Sequence, residues 1–318
     1  RSVERLLVAS LAGMAFVVVF HGLLLLAALF VTGAAVSLFF PISGLWFLFG
    51  FLLGPLYLPV PIIAVVAGDT LTTFLFDPDT ALHIVRQGLL YGGAGALLRR
   101  HYGRTPGAGK SARLGALLVA ALVAVVLNLA AVPVLGWAGT ITGRDASAFA
   151  FAFVLGDASG LLLVAPPALL LADRLLERRR HRLEPVALGR RDQLIAVCLL
   201  AATAIVVLLA LTAFEPEVSV AAALTPALLP ILIGAMLFGY TAAVVLFSAA
   251  TALLLAASSI VADPPSVLAL QTVLVVCCIA TLAVGAATDD RKGLVARLDA
   301  SVAERTRKLD AENAALVR

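Results

Sequence analysis

Four ionisable side chains, Asp69, His83, Arg86 and Asp157, stand inside long apolar runs of the chain, with His21 and Asn128 as polar companions. A charge is expensive in hydrocarbon, so each is a candidate for binding a small ligand or ion or for sensing one. At about 1.5 Å of rise per helical residue, Asp69 lies roughly 10 Å below the outer end of its run and Arg86 roughly 6 Å. Asp157 and Asn128 lie roughly 13 Å down, and Pro41 and Ser43 enter at a similar level. His83, Arg86 and Gln87 share one helix face through their three- and four-residue spacing. Asp69 and Arg86 fall on consecutive antiparallel spans at compatible depth, where a buried ion pair would satisfy both and fix packing. No second cation is visible at the depth of Asp157, which favours a functional role there. His21 fits a satisfied core histidine better than a ligand, and His83 is close enough to the water interface to be an anchor.

The elements that carry these residues must live in lipid. Of 318 residues, 62% are apolar and 13% charged, with a mean hydropathy of +1.08. Soluble domains sit near half apolar and about a quarter charged. The apolar runs show no period-two alternation, so the spans are expected to be helices rather than barrel strands. The expected spans are 6–32, 35–54, 56–76, 82–98, 114–137, 148–172, 193–214, 220–239, 241–261 and 266–287, ten in all, with eight or nine as alternatives. Of the 23 Lys and Arg, all but Arg86 and Arg144 then fall in cytoplasmic segments. That bias orients the chain with both termini on the cytoplasmic side of its membrane. The net charge of +4 therefore sets topology and does not imply nucleic acid. Cys198, Cys277 and Cys278 lie in apolar runs and read as small buried hydrophobes, with no disulfide or metal spacing.

Residues 1–287 form the expected transmembrane sensor domain, and residues 288–318 a cytoplasmic signalling helix. Within the latter, Val295, Leu298, Val302, Arg305, Leu309, Glu312 and Leu316 alternate at spacings of three and four. This is the seam of a parallel coiled coil, weakened by Arg305 and Glu312, and it predicts a homodimer. The chain opens at Arg1 without Met and ends inside this helix, as a piece of a longer protein would. From the seventh span on, polarity is limited to groups such as Thr225, Tyr240, Ser248, Thr251 and Gln271, so recognition is expected in the first six spans. Gly107-Ala108-Gly109-Lys110-Ser111 superficially matches a phosphate-binding loop, but Arg104 occupies the leading glycine position and no strand precedes it. The basic run Arg178–Arg182 is a topology determinant before it is a lipid-headgroup site. No His-Glu-x-x-His run or Gly-x-Ser-x-Gly elbow is present, so no catalytic residue is assigned and no cofactor is evident.

Pro41-Ile42-Ser43-Gly44-Leu45-Trp46, followed by Gly50 and Pro55, resembles the opening of the first class of bacterial membrane-associated sensor domains (MASE-type). Phe153-Val154-Leu155-Gly156-Asp157-Ala158-Ser159-Gly160, with Pro166 following, resembles that family's Gly-Asp-x-x-Gly-x-Pro segment. The likeness covers roughly residues 10–290. Glu304-Arg305-Thr306 with Leu309, Asn313 and Leu316 is similar to linkers ahead of output modules in sensor histidine kinases. The resemblance implies a multi-helix sensory input domain with Pro41, Gly44, Gly156, Asp157, Gly160 and Pro166 as characteristic positions. It also implies a histidine kinase output in two-component signalling, with a response regulator as partner, or else a diguanylate cyclase. ATP and Mg would belong to such a kinase domain, not to these residues.

Three functions stay open. A sensor would let a ligand, ion or membrane property shift helices near Asp69, Arg86 and Asp157 and move the last span. A small-solute transporter would use the same intramembrane charges and the glycine- and proline-interrupted spans. A structural anchor would explain the tail but not the buried charges.

Overall fold

Backbone groups in hydrocarbon must be paired within their own segment, and this chain pairs them in helices. The computed structural model describes residues 2–28, 40–73, 78–104, 109–130, 146–181, 228–261 and 264–316, with scattered positions between 195 and 226. Among the described residues there are nine α-helices, one 3₁₀ turn and no strand. They are α1 Ser2–Ala28, α2 Pro41–Leu53, α3 Pro59–Thr73, α4 Pro78–Arg104, α5 Lys110–Leu129, α6 Ala146–His181, α7 Leu228–Phe238, α8 Tyr240–Val261 and α9 Pro264–Leu316.

Among the described residues, four stretches are long and apolar enough to cross a membrane by themselves: Ser10–Ala28, Lys110–Leu129, Phe153–Leu171 and the helix from Gln271 onward. A fifth results if α2 and α3 count as one broken span. This is fewer than the ten expected, for local reasons. The expected second and third spans are a pair bent by 118° at the corner that contains Gly54. Gly54 has φ +90°, a conformation that glycine adopts without the penalty of a Cβ. The 13 residues of α2 reach only about 20 Å, short of the roughly 30 Å hydrocarbon core. The corner is held by Gly54 N–H donating to the Gly50 carbonyl (2.9 Å) and by Arg99 Nη1 donating to the Leu52 carbonyl (2.5 Å). Arg99 thus serves α2 as a cation at its C-terminal end, besides any topological role. The expected span at 193–214 lies largely outside the described residues.

α2 is the centre of the first half, packed between α4 and α6. Glycines make this possible. A Cβ on Gly50 would lie 1.8 Å from the Gly92 carbonyl oxygen, and one on Gly95 would lie 2.0 Å from the Phe47 carbonyl oxygen. On the other flank, a Cβ on Gly160 would lie 1.9 Å from the Phe40 carbonyl oxygen, and one on Gly44 would meet both Gly160 and Val164. Small residues let backbones approach, which is how helices gain contact energy where lipid removes the hydrophobic drive between them. Trp46, Phe47 and Ile42 are fully buried there, and Phe16, Phe20 and Phe49 cluster around the Trp46 side of α2.

The outer surface is apolar, as a lipid-facing surface should be: Val18 is 73% and Leu25 74% exposed on α1. The same inversion corrects the reading of the cysteines. Only Cys278 is buried; Cys277 is half-buried and Cys198 exposed, because in a bilayer an apolar position need not be an interior one.

Gly50→Ala should lower the stability of the detergent-solubilised domain by about 1–3 kcal/mol, since backbone cannot yield to the new methyl. Gly93→Ala, where nothing lies within 4 Å of the added carbon, should be neutral or slightly stabilising. Thermal unfolding of the two variants beside the parent checks this, and equal loss in both would contradict the packing described.

Candidate functional site: a buried carboxylate between four helices

Pro41 opens α2 at a position where its missing N–H costs nothing. Two residues later the Ser43 hydroxyl lies 2.9 Å from the Phe40 carbonyl oxygen and 2.9 Å from the Asp157 carbonyl oxygen, a donor shared between them. Phe40 N–H donates to the Gly156 carbonyl (3.2 Å). The start of α2 is therefore tied to the backbone of α6 at Gly156 and Asp157, and Gly44 faces Gly160 one turn further on. The two short segments that looked most distinctive in the sequence are in contact.

This contact orients the Asp157 side chain, which is 2% exposed. Its Oδ2 accepts from the Tyr91 hydroxyl (2.5 Å) and from Asn128 Nδ2 (2.7 Å). Asn128 Nδ2 also donates to the Tyr91 oxygen (2.9 Å), closing a triangle of α4, α5 and α6. Tyr91, Asn128 and Ser43 are each fully buried. Hydrogen bonds to a charged group are stronger than neutral ones, and a carboxylate left without them in this setting would be very costly.

Arg86 lies half-buried on α4, five residues before Tyr91. Its Nη2 donates to His83 Nδ1 (3.1 Å), and its guanidinium stands over the Phe153 ring of α6, 5.8 Å from the centroid. Phe153 precedes Asp157 by four residues on the same helix, so Arg86 and Asp157 share one neighbourhood of the bundle. The expected partner of Arg86, Asp69, is half-buried on α3. The Gly50 and Gly95 contacts seat α4 against α2, with its Arg86–Tyr91 stretch toward α6.

The structure thus brings Ser43, Asn128 and Asp157 together and places His83 and Arg86 beside them. Tyr91 was missed in the sequence, where Leu90-Tyr91-Gly92-Gly93 looks like ordinary apolar packing. The one available signal was the need for a donor to Asp157. His21 is half-buried on α1, with Nδ1 2.8 Å from the Val17 carbonyl oxygen. Two polar atoms of the cluster, Arg86 Nε and Asn128 Oδ1, are buried without a hydrogen-bond partner. One is a charged donor and the other an acceptor. Such a set can take a small polar ligand or ion and register its arrival on the Asp157 carboxylate.

Tyr91→Phe should cost about 1–2 kcal/mol by removing one donor from a buried carboxylate. Asn128→Ala should cost at least as much, and the double variant less than the sum, because both donors serve the same oxygen. Thermal unfolding of the four proteins measures this, and strict additivity would mean that the triangle is not a unit.

Comparison with known proteins agrees with this geometry. The model of the MASE1 family matches residues 8–292, a stretch that includes every helix of the site. No curated protein and no solved structure matches the chain. With nearly its whole membrane-embedded part matched, the chain belongs to the MASE1 family of membrane-associated sensor domains.

Proposed function

We propose that this domain detects a small ligand, an ion or a membrane signal at the Arg86–Tyr91–Asn128–Asp157 cluster and passes the change to a cytoplasmic output through α9. The observation that carries the reading is α9 itself, one unbroken helix of 53 residues from Pro264 to Leu316. Its first part packs against α6, the helix of Asp157. Cys278 Sγ lies 3.9 Å from the Leu162 carbonyl oxygen, five residues along α6 from Asp157. Beyond the bundle, every residue from Leu294 to Leu316 is exposed. Membership in a sensory family supports the input role.

A small cavity between α6, α8 and α9 is lined by Ser159, Leu162, Phe247, Gln271, Leu274 and Cys278 among others. The Gln271 amide is buried with no hydrogen-bond partner. The contact between the site helix and α9 is therefore not closely packed along its whole length, and a shift of α6 has room to be felt by α9.

Outside the membrane, Val295, Leu298, Val302 and Leu309 are each at least half exposed, and Leu316 is 84% exposed. A second copy covering this seam as a parallel coiled coil would remove it from water and bring two output domains together. Histidine kinase autophosphorylation in two-component signalling, acting on a response regulator, is the output that best suits such a dimer, with a diguanylate cyclase as the alternative. The inner membrane, with both termini cytoplasmic, is the location that the charge bias supports. A transporter draws support from the 118° break at Gly54, at the far end of α2 from Ser43, since broken helices line transporter sites. It leaves the tail without a purpose, and solute uptake by vesicles containing the domain would restore it.

The test uses a chain freed of its own cysteines, with single cysteines placed along residues 295–316 in native membranes. Crosslinking should peak at Leu298, Val302 and Leu309 and fall at Ala300 and Glu304. Asp157→Asn should change the crosslinking rate at those peaks by about fivefold or more, the lower end of typical coupling energies. A flat profile would remove the coiled coil, and a profile insensitive to Asp157→Asn would remove the link between cluster and tail.

A further inference from the structure

Where α9 leaves the bundle, two consecutive carboxylates reach in different directions. Asp290 accepts from the Lys110 backbone N–H at Oδ1 (2.7 Å) and from the Ser111 N–H at Oδ2 (3.0 Å), the first amides of α5. Asp289 Oδ2 accepts from the Tyr240 N–H (3.2 Å), the first amide of α8, and from Lys110 Nζ (2.5 Å). Two residues on, Lys292 Nζ donates to the Leu237 carbonyl (2.9 Å) near the end of α7. Each sign of charge meets the helix end that attracts it: acids at two N-termini, a base at a C-terminus.

The receiving notches are built from glycine. Gly109 stands at the N-cap of α5 with no side-chain cap of its own, and a Cβ there would lie 2.7 Å from Asp290 Oδ2. Gly239, with φ +87°, separates α7 from α8, and a Cβ there would lie 1.8 Å from Asp289 Oδ1. One turn earlier, a Cβ on Gly285 would crowd Tyr240 and Gly239, so α9 approaches α8 closely just before the acidic pair. Slight burial opposes the charge of Asp290, but the amides of Ser111 and Lys110, with the Lys110 charge, hold its carboxyl below the usual range.

We propose that Asp289 and Asp290 form a clasp that holds α9 in one rotational and axial setting against α5 and α8, and that α9 can change setting only by exchanging these contacts. Neighbouring residues on a helix point about 100° apart, so the pair fixes rotation as a single capping residue would not. A shift of one residue along the axis, about 1.5 Å, removes both carboxylates from their amides. Every residue from Leu294 to Leu316 is exposed, which makes this the grip on the free part of the helix.

The inference rests on α9 being the output helix of a sensor, and its test reads helix position alone, so the two can fail separately. In the cysteine-free domain in nanodiscs, diluted with unlabelled chain, spin labels at Ala112 and Ala300 report the distance between α5 and the tail. The parent should give one narrow distribution. Asp289→Ala with Asp290→Ala should add a second distance or move the first by several ångström, the scale of a label carried round a helix surface. Asp290→Glu, which keeps the charge but lengthens the arm, should shift the distance while the domain stays folded, and it decides the matter if the double variant does not fold. Distributions identical to the parent in every folded variant would overturn the clasp and leave the two acids as helix caps only.

Discussion

A carboxylate deep in a lipid-embedded bundle has no water to turn to, and the first half of this domain is arranged around that constraint. Asp157 needs donors, and the chain supplies them from two other helices, Tyr91 on α4 and Asn128 on α5. A third, α2, is tied through Ser43 to the Asp157 backbone rather than to its side chain. Removing any one of these helices would expose a charge or orphan a donor. The cluster therefore couples the positions of four helices more tightly than apolar contacts between smooth surfaces would. A site built this way responds as a unit, which is what a receptor for a small polar stimulus requires.

Hydrogen bonds of that length are possible only because backbone meets backbone around α2. The Gly50–Gly92, Gly95–Phe47 and Gly160–Phe40 approaches leave no room for a side chain between the axes. The glycines do not touch Asp157, yet they set the distance across which Tyr91 and Ser43 reach it. A larger residue at any of them acts on the site through helix spacing. The characteristic glycines and the characteristic aspartate are then parts of one device.

Much of this was legible in the sequence, and what was not has physical reasons. The membrane class followed from composition, and Asp157, Asn128 and Ser43 stood out because polar groups are costly in apolar runs. Their meeting followed from none of that, since depth along a span gives height but not the face a residue occupies. Tyr91 escaped because an aromatic ring in a glycine-rich helix is ordinary packing until its hydroxyl has somewhere to go. The break between the expected spans 35–54 and 56–76 was legible, but hydropathy does not register the 118° bend there, which makes the two at most one broken span among the described residues. The glycine-rich run ending in Lys110 and Ser111 lacks the leading glycine of a phosphate-binding loop, with Arg104 in its place. Its helix N-terminus does bind an anion, but the anion is Asp290, nearly 180 residues away in sequence.

A helix of 53 residues is about 80 Å long, and a rod of that length carries only the motion imposed where it is held. α9 is held at two levels. Within the bundle it lies against α6 beside a small cavity, where contacts are mostly apolar and change gradually with displacement. At the rim it is held by charged hydrogen bonds to particular amides, which are either made or broken. On the proposed reading, gradual contact near the cluster and discrete contact at the exit would together turn a small tilt of α6 into a choice between settings of the tail. That division of labour explains why the charges of α9 begin abruptly at Asp289, where the membrane-embedded contacts end.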